Sequence, residues 1–174
     1  RHLVAAALRH ELGGLTLPAA QATIQTRPEL GSVLAEALAD VPASLTTLMG
    51  IAEALPYPSV VLAQADVAVT ARVRQMLPAG SEPQTVARWA DRAGMRPAAA
   101  GRPTEALQLT QEAVNIYRDL DAASPDLYRP DLARALDNLA VWLWELGHTA
   151  DALPVTREAV GIYQKLAGIS PDRY

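Results

Sequence analysis

The chain has 174 residues, half of them hydrophobic, with 15 basic against 19 acidic side chains and a net charge of −4. It contains no cysteine, which excludes disulfides, thiol nucleophiles and cysteine-bound zinc. The acidic balance lacks the basic excess of a nucleic-acid binder, and no apolar run reaches the roughly 18 residues that cross a bilayer.

The apolar content is dominated by Ala and Leu, strong helix formers, and points to an all-α protein. Residues 1–80 read as an N-terminal helical region. Arg1–Leu12 forms one helix with Leu3, Ala7 and Leu8 on one side, stopped by Gly13 and Gly14. Pro18 opens a short helix to about Gln25. Pro28 takes a first helical position before Glu29–Ala39, and Pro42 does the same for Ala43–Leu55. Pro56, Tyr57 and Pro58 break the chain, and Ser59 caps a helix to about Leu77. In that last segment Val67, Val69, Ala71 and Val73 alternate like a strand, while Leu62, Ala65, Val69, Val73 and Met76 form a helical stripe. Its length and the helical context decide for helix. Residues 43–77 read as a degenerate helical hairpin, and 78–83 as a turn or linker.

Residues 81–174 carry an internal repeat. Gly101–Tyr128 and Gly147–Tyr174 lie 46 positions apart and share 14 of 28 residues. Carried backwards, the same offset pairs Ala87 with Ala133, Arg88 with Arg134 and Asp91 with Asp137. The units are therefore about 83–128 and 129–174. Each reads as two helices. In the second unit, Leu132, Leu136, Leu139, Leu143 and Leu146 are spaced 4, 3, 4 and 3 and make one stripe over Asp131–Leu146. Gly147 follows as the residue after the helix cap. A second helix runs from Thr149 or Ala150 to about Leu166, with Ala152, Val155, Ala159, Ile162 and Leu166 as its stripe. Pro97 should kink or end the first unit's opening helix, and Pro154 sits early in the last one. Tyr117 and Tyr163, and likewise Tyr128 and Tyr174, recur at the repeat period and read as packing residues between units.

Leu136, Leu139, Ala140, Leu143, Gly147, Ala152 and Ala159 resemble the small and large packing positions of the tetratricopeptide repeat. The first unit holds Ala90, Ala93, Gly94, Pro97, Gly101, Ala106 and Ala113 in the same places. The period is longer than the usual 34 residues and resembles that of kinesin light chains and of large actinobacterial regulators. A HEAT or armadillo array is the structural alternative. The resemblance implies an α-solenoid of antiparallel hairpins whose opening helices line a concave, protein-binding face. On this chain that face consists of Arg134, Asp137, Asn138, Val141, Trp144 and Glu145, with Arg88, Asp91, Arg92 and Met95 in the first unit. Asn can donate to and accept from a peptide backbone, Arg can clamp a carboxylate, and Trp supplies contact area. The competing reading packs Trp144 on the preceding hairpin and makes Arg134 and Asp137 a surface pair.

The sequence carries no Walker A motif, no Gly-x-Gly-x-x-Gly and no His-Glu-x-x-His, so neither a cofactor nor catalysis is expected. His2, His10 and His148 are far apart and carry no metal or catalytic role. Asp119, Asp121, Asp126 and Asp131 read as capping acids in a solvated linker. Val86–Gly94 with the helix that follows also resembles a helix-turn-helix, with Arg88, Arg92, Arg96 and Arg102 on phosphates. That DNA-binding reading is set against the acidic charge and the repeat register.

The expectation is a protein-interaction module, a scaffold or sensor segment of a larger regulatory protein. It would hold a protein, a peptide or another domain of the same chain, with no nucleic acid and no membrane as partner. The alternative is a structural or homo-oligomerising arm. The start of the chain has neither a secretion-signal order nor an initiator Met, and reads as part of a longer cytoplasmic protein. Ser170–Tyr174 repeats Ser124–Tyr128, so the array reads as cut. The last helix should then present an uncapped apolar face around Val155, Ala159, Ile162 and Leu166, able to pair two copies as a homodimer.

Overall fold

A computed structural model describes residues 17–26, 28–40, 42–56, 59–95 and 102–169. The expectations for Arg1–Leu12, the glycines at 13 and 14, His2, His10, Tyr57, Pro58, Arg96, Pro97, Gly101 and Ser170–Tyr174 fall outside them. Every regular element among the described residues is helical. The chain divides into two compact units at the Ala79–Gly80 bond.

The first unit contains α1 (Leu17–Thr26), a 3₁₀ turn (Pro28–Leu30), α2 (Gly31–Asp40), α3 (Leu45–Ala54) and α4 (Ala63–Met76). Helix α2 lies along α4, α3 also rests on α4, and α1 packs on α3. Leu34, Leu38, Leu48, Ile51, Val69 and Val73 form the buried interior. Position 31, the first of α2, takes a glycine because the Val61 backbone comes so close that a Cβ there would strike its carbonyl oxygen. The Arg72 guanidinium donates to the Leu38 carbonyl and ties α4 to α2.

Three expected boundaries move. Pro28 opens the 3₁₀ turn, not the α-helix. Pro42 lies outside α3, whose true cap is Ser44: its hydroxyl accepts the Thr47 N–H at 3.1 Å, which a proline cannot do. Ser59 accepts the Leu62 N–H at 3.3 Å in a turn before α4, which begins four residues later at Ala63. Ala65, Val69 and Val73 are all buried, so the period of four prevails over the alternation.

Among the described residues the second unit is a run of four helices: α5 (Pro83–Met95), α6 (Pro103–Ala123), α7 (Pro125–Glu145) and α8 (Thr149–Ile169). Each packs on the next in chain order, and α5 also meets α7. Helices α6 and α8 start and end 46 residues apart, at the repeat period. The core joins Ala87 and Ala90 of α5, Ala113, Val114 and Tyr117 of α6, Leu132, Ala135, Leu136 and Leu139 of α7, and Ala159 of α8. Alanine at these crossings lets the helix axes approach, and leucine fills the space between them. At Gly94 helices α5 and α6 pass close together, and a Cβ there would strike the Thr110 hydroxyl oxygen of α6. Helix α8 continues through Pro154, at its sixth residue, and gives up one backbone hydrogen bond there.

The turn between α7 and α8 is set by Gly147, at φ +81°. Its N–H donates to the Trp144 carbonyl at 3.0 Å, and the His148 N–H donates to Leu143 at 2.7 Å. These two bonds are those of a Schellman motif, which needs a left-handed residue after the cap.

Two expectations are corrected. The stretch from Asp119 to Asp131 is not a linker: only Ser124 separates α6 from α7. Pro125 takes the first helical position of α7 and Asp126 its first turn, where a carboxylate faces the positive end of the helix dipole. Asp121 faces Arg129 at 3.3 Å, and Asp131 accepts from Arg134 at 2.9 Å. The stripe of Val155, Ala159, Ile162 and Leu166 is not an open face either. Ala159 and Leu166 are buried, and Val155 and Ile162 pack against the core. That stripe is what α8 spends on α7; the apolar side chains left exposed on α8 are Leu153, Val160 and Ile169.

Candidate protein-binding groove

The ten residues expected on the concave face fall into distinct groups. Asp91, Arg134 and Asn138 bind one another. Asp91 of α5 is 1% exposed, and its carboxylate accepts from the Arg134 guanidinium and, at 3.0 Å, from the Asn138 side-chain amide. Arg134 and Asn138 are one turn apart on α7, so both reach the same carboxylate from one helix face. Arg134 also donates to Asp131. The pairing of Arg134 with Asp137, weighed above, gives way to this clamp.

The clamp extends into the core. Burial first, and then the Asp131 charge, push the Tyr117 hydroxyl up to about 12. Burial works against the Arg134 charge, but the Asp91 carboxylate and the hydrogen bond to Asp131 outweigh it and hold its pKa above the ordinary arginine value. A second tie runs from the Tyr128 hydroxyl of α7, which donates to Gln84 of α5 at 3.3 Å. On α5, the Arg88 and Arg92 guanidiniums lie 5.6 and 5.7 Å from the centre of the buried Trp89 ring, a cation–π pair. Met95 is half-buried at the end of α5.

Asp137, Val141, Trp144 and Glu145 are exposed. Trp144 does not pack on the preceding hairpin: 67% of it is open, with Val141 at 47%. Asp137, Val141 and Trp144 line one wall of a groove of about 360 Å³, with Ala140 at its base. The opposite wall comes from α8: Thr149, Ala152, Leu153 and Thr156. Leu153 is 52% open. This α8 wall was missed from sequence because Leu153 lies one residue outside the α8 stripe. The repeat gave no sign of it: Leu153 and Thr156 match Leu107, which packs against the core, and Thr110, which is buried.

The groove is apolar, with a single carboxylate, Asp137, among its lining side chains. Such a surface suits an amphipathic segment with a cationic or hydrogen-bond-donating rim. Among the described residues no group of three or more His, Asp or Glu side chains is arranged to hold a metal ion, and no helix is long and apolar enough to cross a membrane.

The architecture is that of helical hairpins stacked in sequence order. A family model described as the tetratricopeptide repeat matches residues 132–172, which covers the greater part of α7 and all of α8. This hairpin is a tetratricopeptide repeat. No match was found among curated proteins or among solved structures.

Proposed function

We propose that this chain is a protein-interaction module that holds a protein or peptide, or another domain of its own polypeptide, in the groove between α7 and α8. The supporting observation is the convergence of Trp144, Val141 and Leu153 on that groove. Large apolar side chains gathered on one concave surface mark binding sites, and tryptophan is a frequent energetic anchor. A tetratricopeptide repeat supports the same reading. The role is binding, not catalysis, and the chain serves as a scaffold or sensor segment of a regulatory protein.

The site differs from the concave face expected from sequence. Asn138 and Arg134 belong to the α5–α7 clamp, so their loss would disturb the stacking of hairpins as well as any bound partner. Trp144→Ala is the clean probe. The experiment is selection of ligands from a displayed peptide library on the intact chain, followed by affinity measurement on Trp144→Ala. The expected result is a set of ligands whose binding falls at least tenfold in the variant at unchanged helicity. Ligands indifferent to Trp144, or none at all, would refute the reading.

A further inference from the structure

Helices α6 and α8 are a matched pair of 21 residues each, related by the repeat period of 46. At three equivalent positions they differ in kind. Pro154 of α8 stands for Gln108 of α6, Gly161 for Asn115 and Gly168 for Ala122. The three are seven residues apart and so lie along one side of α8.

Packing does not call for the two glycines. Among the described residues no atom comes within 4 Å of a Cβ placed at Gly161 or Gly168. Neither has the positive φ seen at Gly80 and Gly147. Their effect is therefore on the helix itself. A glycine weighs against the helical form about fivefold relative to alanine, and an interior proline about a hundredfold relative to glutamine.

Tertiary support for α8 is also lighter. Helix α6 packs between α5 and α7 and buries Ala106, Thr110, Ala113, Val114 and Tyr117. Helix α8 packs on α7 and buries Ala152, Ala159 and Leu166. An ion pair from Arg118 to Glu158 links it to α6 at 2.6 Å, but both side chains are exposed, and such pairs contribute little. The intrinsically weaker of two equivalent helices is thus also the one with less of its surface buried. It carries one wall of the groove: Thr149, Ala152, Leu153 and Thr156.

We propose that α8 is a detachable wall, which leaves α7 by local unfolding while α5, α6 and α7 stay folded. The groove is complete only while α8 is docked, because the four wall residues leave with it. This conformational device goes beyond the interaction-module reading and does not depend on what occupies the groove.

The absence of cysteine allows a direct test by thiol labelling. Ala113 and Ala159 are repeat-mates in α6 and α8, 0% and 2% exposed. Ala113→Cys and Ala159→Cys are made separately in the intact chain, and each is reacted with Ellman's reagent without denaturant. The thiol of Ala159→Cys should react about a hundredfold faster than that of Ala113→Cys. Adding Pro154→Gln, Gly161→Ala and Gly168→Ala should slow labelling in α8 by about tenfold or more, with labelling in α6 unchanged.

Equal rates at the two positions overturn the proposal. So does a faster rate in α8 that the three substitutions fail to slow, because the place of α8 in the row of helices, not its own residues, would then set its opening. Amide exchange in the chain without an introduced thiol guards against a local disturbance by the cysteine. Amides of Val155–Leu166 should exchange faster than those of Leu109–Leu120, and the three substitutions should close that gap. Matching exchange in the two segments refutes the detachable wall whatever the thiols show.

Discussion

Arg134 of α7 places its guanidinium on the buried Asp91 carboxylate of α5, and that contact joins two repeat units whose sequences place these residues 43 positions apart. The carboxylate is 1% exposed while the arginine side chain is 42% open, so the two partners stand to lose unequally. Removing Arg134 leaves a buried charge with only the Asn138 amide on it. Removing both leaves neither. Arg134→Ala should therefore destabilise the chain by about 2–3 kcal/mol, and Asp91→Ala combined with Arg134→Ala should cost clearly less than the sum of the singles. Urea unfolding of the four proteins measures this. Additive losses would show that the clamp carries no coupling.

The Tyr117 hydroxyl has its pKa pushed up to about 12 by burial, with the Asp131 charge adding to it. A phenol raised in the folded state contributes stability that is complete below its unfolded value near 10 and is lost as pH rises through the folded value. Stability should decline between pH 10 and 12 more steeply in the wild type than in Tyr117→Phe. Urea midpoints across that interval provide the comparison. Parallel curves would mean that Tyr117 titrates alike in the folded and unfolded chain.

Gly147 sits at φ +81° in the Schellman turn, with no atom near the position a Cβ would occupy. The cost of a side chain there is conformational, not steric. Gly147→Ala should lose about 1 kcal/mol and Gly147→Asn less, since asparagine tolerates the left-handed region better. Thermal unfolding should rank the three glycine, asparagine, alanine. An alanine variant as stable as the wild type would contradict the assigned turn.

Much of this was legible because apolar spacing and repeat register are local properties of a chain. The leucines from Leu132 to Leu143 give α7 its inner face, and the offset of 46 matches Gly147 with Gly101 and Ala159 with Ala113. The start of α7 was hidden: Leu127 is 63% exposed and Pro130 looks like a breaker, so residues 125–131 carry no stripe. The Asp91 clamp was hidden for a different reason. Its members sit on helices that meet only through the stacking of units, and nothing local marks Asp91 as buried while its repeat-mate Asp137 is exposed. The α8 wall of the groove was overlooked because Leu153 repeats Leu107, and repetition alone does not distinguish a covered position from an open one.

Trp144 contributes little to the fold, because two-thirds of it is already in water; in the proposed function its contribution goes to a partner. Trp144→Ala should change stability by no more than about 0.5 kcal/mol. Trp142, on the same helix and 5% exposed, should cost about 3–5 kcal/mol on the same substitution. Chemical denaturation of the two variants side by side checks the contrast. Equal losses would place Trp144 in the core and remove the anchor from the groove.

The most direct test of the groove as the binding surface is hydrogen–deuterium exchange on the intact chain, with and without a saturating library-selected ligand. The account predicts new protection concentrated between Asp137 and Thr156, absent in Trp144→Ala, with residues 17–79 unchanged. Protection confined to residues 17–79, or none between Asp137 and Thr156, would contradict it.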